Sequence, residues 1–208
     1  MKLRKKTKII QSGIDIKKYF GSLTTPIFYN STIAFENYNN FVKAKKNKQN
    51  DLYYGRFKTK TVQIFEQIMT DLYESEKAII TSSGLSAIII TLSSFLSKND
   101  NIIFVENCYE PVSNFIRLEL KKFGINHKTY PPVYNKSVER LIDKNTKILY
   151  LESPTSLNYE IQDIEKFVKI AKKNKILTIM DNTWSTFYGC NPLKFGVDIV
   201  IESGTKYL

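Results

Sequence analysis

Four residues near the end of this sequence carry side chains that could do covalent and acid–base chemistry together. Asp181 lies in the run Ile-Met-Asp-Asn-Thr-Trp, and Ser203, Thr205 and Lys206 lie in the run Val-Asp-Ile-Val-Ile-Glu-Ser-Gly-Thr-Lys-Tyr-Leu that ends at Leu208. An amine can condense with an aldehyde, a carboxylate can hold a cation, and hydroxyls can donate to an anion. The apolar runs before them, Ile176 to Met180 and Val197 to Ile201, read as short buried strands. In an open parallel sheet, ligands sit just beyond the carboxyl ends of the strands. Both runs would therefore deliver their polar residues to one crevice.

That inventory suits pyridoxal 5'-phosphate. The cofactor needs a lysine amine for a Schiff base and an acid that keeps its ring nitrogen protonated. Hydroxyl donors near the lysine can hold its phosphate. The lysine must lose its proton, which desolvation and nearby positive charge favour. Taken singly, Asp181 reads equally as a strand-end turn or a helix cap, and Lys206 as a solvated surface lysine. Their joint placement at strand ends favours the chemical reading.

Other stretches feed the same edge. Thr81-Ser82-Ser83-Gly84-Leu85-Ser86 turns from a strand candidate into a helix, where Ser83 and Gly84 would face an anion at the helix N-terminus. N-capping explains the serines equally well, and the stretch has neither P-loop nor dinucleotide-binding spacing. Asn107-Cys108-Tyr109-Glu110-Pro111 follows the next strand; Tyr109 either stacks on a flat heterocycle or packs over the helix that Pro111 begins. Leu151-Glu152-Ser153-Pro154-Thr155-Ser156 completes the rim. Earlier, Tyr53-Tyr54-Gly55-Arg56 precedes a helix, and Arg56 reads as a phosphate ligand, by its planar fork, or as a surface arginine.

The elements that must position these groups alternate. Strands are expected at 78–81, 102–105, 127–130, 147–151, 176–180 and 197–201. Helices are expected at 61–72, from the 81–86 turn to about Leu96, at 111–123 and at 161–174. The first helix carries Val62, Phe65, Ile68, Met69 and Leu72 as a core stripe. This alternation predicts an α/β fold, a mainly parallel sheet with helices on both faces. Residues 1–55 read as an N-terminal arm, with an extended stretch from Leu23 to Phe28 broken at Pro26 and a lysine-rich loop or frayed helix end from Lys43 to Gln49. Residues 56–208 read as the sheet domain.

Composition narrows the function class. The 208 residues fit one domain, or one and a small part; 25% charged and 42% apolar residues fit a globular protein. A net charge of +11 raises nucleic acid or a membrane surface as partners. The lysines are spread through the chain with no interleaved aromatic stripe, so we read a composition bias and expect neither. Cys108 and Cys190 lack metal or disulfide spacing and read as reduced thiols in a cytoplasmic protein. A single histidine, His127, leaves no His-rich metal site. No apolar run reaches the ~18–20 residues that span a bilayer, and no signal core follows the basic start.

At these residues the sequence resembles the Cys/Met-metabolism family of pyridoxal-phosphate enzymes, which perform trans-sulfuration on an aspartate-aminotransferase-type large domain. The matching pieces are Tyr54-Gly55-Arg56, Ser83-Gly84, Tyr109-Glu110-Pro111, Glu152-Ser153-Pro154 with Ser156-Leu157 and Glu160-Ile161-Gln162-Asp163-Ile164, Asp181-Asn182-Thr183-Trp184, Asn191-Pro192-Leu193 and Ser203-Gly204-Thr205-Lys206-Tyr207-Leu208. They run in the family's order over residues 20–208, and the Tyr-Glu-Pro and Glu-Ser-Pro pieces lean towards the cystathionine β-lyases. The resemblance implies that Lys206 holds the cofactor aldehyde and later moves protons, Asp181 pairs with the ring nitrogen, and Tyr109 stacks on the ring. It implies that Ser83, Gly84, Ser203 and Thr205 bind phosphate, and that Tyr54 and Arg56 bind the phosphate of a neighbouring subunit's cofactor, so that a homo-oligomer is required. The implied reaction is β-elimination of cystathionine to homocysteine, ammonia and pyruvate, with γ-lyase or γ-synthase chemistry as the alternative.

The sequence departs from the family at Phe57-Lys58-Thr59-Lys60-Thr61, where a smaller glycine- or proline-bearing turn is usual, and in ending soon after Lys206. The family continues for about another domain, ~150 residues, which carries the arginine for the substrate carboxylate. We therefore expect a truncated large domain without the C-terminal small domain, and no turnover from these residues by themselves. A non-catalytic remnant and a basic nucleic-acid module are the competing readings.

Overall fold

The computed structural model describes residues 4–48, 50–133 and 137–208. They form two compact units, Met1–Ile80 and Thr81–Leu208.

The first unit holds three helices, α1 (Lys5–Gln11), α2 (Tyr38–Lys46) and α3 (Lys60–Tyr73). The Asn37 side chain caps α2 by accepting from the Asn40 amide at 2.9 Å. Lys43, Lys45 and Lys46 sit in its last turn, where they oppose the negative end of the helix dipole. Of the two readings of this lysine-rich stretch, loop or helix end, the helix end holds: 43–46 close α2 and 47–48 form a turn, while Gln49 lies outside the described residues.

Helix α3 forms as expected, but its buried residues are Glu66, Met69 and Tyr73, and Phe65 is 38% exposed. The stripe is rotated because Glu66 is fully partnered. Lys58 Nζ lies 2.5 Å from its carboxylate, and the Ile80 amide donates to it at 3.3 Å. A charge so satisfied can sit where a lone one could not. The same contact explains a second difference. Residues 78–81 join no strand, and the Ile80 amide goes to a side chain instead of a ladder.

The second unit runs α4 (Gly84–Phe95), β1 (Asn101–Val105), α5 (Glu110–Asn114), β2 (Asn126–Tyr130), α6 (Ser137–Leu141), β3 (Thr146–Glu152), α7 (Ile164–Lys173), β4 (Leu177–Asp181), α8 (Thr186–Gly189) and β5 (Ile199–Ile201). The strands form one parallel sheet in the order β2-β1-β3-β4-β5. This is the expected α/β class. Every residue of β1 is buried, as is all of β3 except Lys147, because helices cover a parallel sheet and leave no polar face. Phe104, Tyr130, Tyr150 and Phe167 are the largest side chains in the core.

Three element ends differ from the sequence reading, each for a local reason. Beyond α5 the helix continues as a π-helical turn over 115–120, which sends Ile116 and Leu120 into the core. Helix α7 starts at Ile164 rather than 161, since Asp163 caps it through the Lys166 amide at 3.1 Å. Gln162 is committed elsewhere: its amide donates to Ser153 Oγ at 3.0 Å and its Oε1 accepts from the Glu152 amide at 3.2 Å. Strand β5 starts at Ile199 because Asp198 turns its carboxylate onto Thr178, accepting from the amide at 2.8 Å and the hydroxyl at 2.6 Å. No helix of the described residues is long and apolar enough to cross a membrane.

Candidate active site

The carboxyl ends of β3, β4 and β5, the loop after β1 and the N-terminus of α4 surround a cleft of about 440 Å³. Asp181 is the last residue of β4, in register with Glu152 of β3 on one side and Ile201 of β5 on the other. Its Oδ1 accepts from the Thr183 amide at 2.9 Å. Burial pushes its carboxyl above the ordinary aspartate value, against the pull of the Thr183 contacts. No cation pairs with Asp181 among the described residues. An uncompensated, half-buried acid in a cleft wall is chemically suited to a cationic ligand.

The segments after β4 and β5 are knitted together. The Asn182 amide donates to the Ile201 carbonyl, and the Ser203 amide to Thr183 Oγ1, both at 2.8 Å. A turn closed by the Lys206 amide and the Ser203 carbonyl at 3.0 Å brings the Ser203 and Thr205 hydroxyls within 3.2 Å of each other. Lys206 is exposed and lines the cleft, with no ion-pair partner among the described residues.

Opposite that turn stands the start of α4. Ser83 and Ser86 form a reciprocal capping box, with Ser83 Oγ accepting from the Ser86 amide at 3.0 Å and Ser86 Oγ accepting from the Ser83 amide at 2.9 Å. Capping uses a lone pair of the Ser83 hydroxyl and leaves its proton to donate, so the capping and anion readings are compatible. Gly84 permits the close approach: a Cβ there would stand 2.5 Å from Ser203 Cβ and 3.1 Å from Ser203 Cα. Gly84→Ala is expected to cost about 1–3 kcal/mol through overpacking, seen as a lower urea midpoint at unchanged slope.

Tyr109 is half-exposed at the N-cap of α5 and lines the cleft. Its amide donates to Glu152 Oε2 at 2.8 Å, while Glu152 Oε1 accepts from the Ser156 amide at 2.9 Å. Glu152 was not a site candidate from sequence, although it closes an apolar run as Asp181 does. Burial, with a further contribution from Asp181, pushes its carboxyl up to about 7, while the amides of Tyr109 and Ser156 pull it down. Sequence reasoning also missed the aromatic mouth, where Trp184 lies 5.2 Å from the Tyr159 ring and 5.0 Å from the Tyr207 ring. Residues so far apart in sequence share no pattern that would connect them.

Ser83, Gly84, Tyr109, Asp181, Ser203, Thr205 and Lys206 therefore line one cleft. Tyr54 and Arg56 belong to the first unit, where they line a hollow of about 450 Å³ with Lys48 and Phe57, and the Arg56 guanidinium lies 4.8 Å from the Phe57 ring. His127 sits on the edge strand β2, and Cys108 is buried with its thiol pushed up to about 12, chiefly by desolvation, which leaves it inert. No group of three or more His, Cys, Asp or Glu side chains forms a metal site among the described residues.

With that geometry in hand, the model of the Cys/Met metabolism PLP-dependent enzyme family matches residues 6–208. The chain belongs to this family. Family membership agrees with the donor set: a half-buried acid without a cation, hydroxyls and amides at a helix start, and an exposed amine are complements of a pyridinium nitrogen, a phosphate and an aldehyde. Among relatives in the Cys/Met metabolism family, an L-alanine/L-glutamate racemase of Wolbachia pipientis is 30% identical over 99% of this chain and 53% of its own length. The cystathionine β-lyase of Salmonella typhimurium is 30% identical over 97% of this chain and 52% of its own. A Campylobacter jejuni structure described as an O-acetylhomoserine (thiol)-lyase, with N'-pyridoxyl-lysine-5'-monophosphate, superposes with a TM-score of 0.90 at 30% identity, covering 99% of this chain and 51% of that one. The chain thus spans about half the length of the relatives it matches.

Proposed function

We propose that this protein is a pyridoxal-phosphate-dependent carbon–sulfur lyase that splits a thioether amino acid such as cystathionine into homocysteine, pyruvate and ammonia. The observation that carries this reading is the convergence of Lys206, Asp181, Tyr109 and the Ser83–Ser203–Thr205 donors on one cleft. When bound, pyridoxal 5'-phosphate supplies an electron sink for the charge left on a substrate Cα. Lys206 Nζ would attach the cofactor covalently and, once the substrate's amine has displaced it, would take the Cα proton and return a proton to the departing sulfur. Asp181 would keep a negative charge against the ring nitrogen. The Tyr109 ring would cover one face, and Ser83, Gly84, Ser203 and Thr205 would hold the phosphate with the positive end of α4. In this reading residues 1–55 are an arm, 56–208 the cofactor domain, and Tyr54 with Arg56 serves the phosphate of a second copy, making a cytoplasmic homo-oligomer.

The relatives' names, an L-methionine γ-lyase of Fusobacterium nucleatum and the Wolbachia racemase among them, also point to two other outcomes of the same first proton transfer, γ-type chemistry and racemisation. Products separate them: β-elimination of cystathionine releases pyruvate, γ-elimination releases 2-oxobutyrate, and racemisation inverts an amino acid while releasing neither. Because the relatives are about twice as long, turnover is expected to need more than these residues, whereas cofactor capture is not. A stoichiometric visible absorption band on adding pyridoxal 5'-phosphate supports the reading; its absence at millimolar cofactor contradicts it.

A further inference from the structure

We infer that Glu152 is a positioning residue whose carboxylate clips the loop after β1 to the loop after β3, and so holds the Tyr109 phenol at the cleft wall. Each of its oxygens has one amide: Oε2 accepts from Tyr109 at 2.8 Å and Oε1 from Ser156 at 2.9 Å. The backbone that carries it is held from behind, because the Glu152 amide donates to Gln162 Oε1 at 3.2 Å, and Gln162 Nε2 donates to the Tyr130 hydroxyl at 3.0 Å. A second stitch joins the same loops, where Asn107 Nδ2 donates to Thr155 Oγ1 at 3.0 Å and to Glu160 Oε2 at 2.6 Å. A carboxylate suits this place because, once ionised, it is purely an acceptor with oxygens that face two amides at once.

The clip responds to pH. The groups coupled to Glu152 are Asp181 on β4, Tyr150 on its own strand, Tyr130 on β2 and Cys108 in the loop after β1, and the one lysine that lines the same cleft, Lys206, makes no ion pair with it. Burial among them raises Glu152 to about 7. The carboxylate therefore ionises near neutral pH, and its amide bonds strengthen as the charge appears. The clip exists without the cofactor; only the use made of the phenol rests on the proposed lyase reading.

The test is nuclear magnetic resonance on the cofactor-free chain. The amide signals of Tyr109 and Ser156 are expected to titrate together, with one midpoint near that of the Glu152 carboxyl. Their exchange with solvent, corrected for intrinsic pH dependence, is expected to slow about ten- to a hundred-fold as the carboxylate forms. Glu152→Gln removes both the titration and the protection, and Glu152→Asp keeps a titration. A merely structural role would alter melting but would not link these two amides to one proton. Amides that do not titrate, or that titrate with separate midpoints, overturn the proposal, and the unsubstituted chain suffices to show it if the Gln variant fails to fold. Loss of cofactor capture would leave the titration intact, so the two readings fail separately.

Discussion

Lys206→Ala is expected to abolish covalent capture of pyridoxal 5'-phosphate while leaving the fold intact. Lys206 is the only lysine among the residues lining the cleft, so no second amine stands ready to substitute for it. Its side chain is exposed and makes no ion pair among the described residues. Truncation should therefore shift stability by no more than about 0.5 kcal/mol, the usual range for surface substitutions. The measurement is borohydride reduction after incubation with the cofactor, followed by peptide mass mapping. The parent chain should carry one saturating label on Lys206 and the variant none there. Weak non-covalent affinity should survive in the variant through Asp181 and the hydroxyl donors. A saturating label that persists on another lysine would show that the amine has been assigned to the wrong residue.

Asp181→Asn is expected to move stability and cofactor affinity in opposite directions. The native carboxyl is raised above its ordinary value by burial, so the folded state binds a proton that the unfolded chain has already lost. Such a group leaves the protein most stable below the unfolded carboxylate value and costs stability as pH rises through the folded one. Glu152, raised to about 7, acts with the same sign. Asparagine keeps an oxygen for the Thr183 amide and removes the group whose ionisation is penalised in the folded state. Without cofactor at pH 8, the variant should melt at or above the parent's temperature. The same change removes the charge that would face a protonated ring nitrogen, and a hydrogen bond to a charged group contributes ~1.5–3 kcal/mol. Affinity should fall about ten- to a hundred-fold by titration of the visible band. A variant that melts lower and binds as tightly would place Asp181 in a structural role, not a binding one. Functional sites are where such trade-offs between stability and activity concentrate.

Much of this was legible in one dimension because the sheet is parallel. Strands buried on both faces write themselves as apolar runs, and β1, β3 and β4 fall close to where those runs lie. The chemistry follows each run, since only at its carboxyl end does such a strand emerge from the core; that placed Asp181, Ser203, Thr205 and Lys206 correctly on one crevice. Where a polar side chain took over a role usually played by apolar packing or a ladder, the reading slipped. Glu66 replaced Phe65 on the buried face of α3 once Lys58 and the Ile80 amide satisfied it. Asp198 shortened β5, and Gln162 delayed α7, by the same kind of substitution of side chain for backbone.

By itself, then, the order of residues determined the α/β class, the strand ends and the residue types gathered there. Those depend on local propensity and hydrophobic period, which the chain carries at every position. Only the tertiary structure decided neighbours. The sheet order sets β1 between β2 and β3, and the register of β3 on β4 puts Glu152 beside Asp181. Two acids of the same type, each unremarkable at the end of its own run, become coupled because both lose water to the same buried wall. Desolvation and proximity are properties of the packed sheet, and they are what set the protonation of this site.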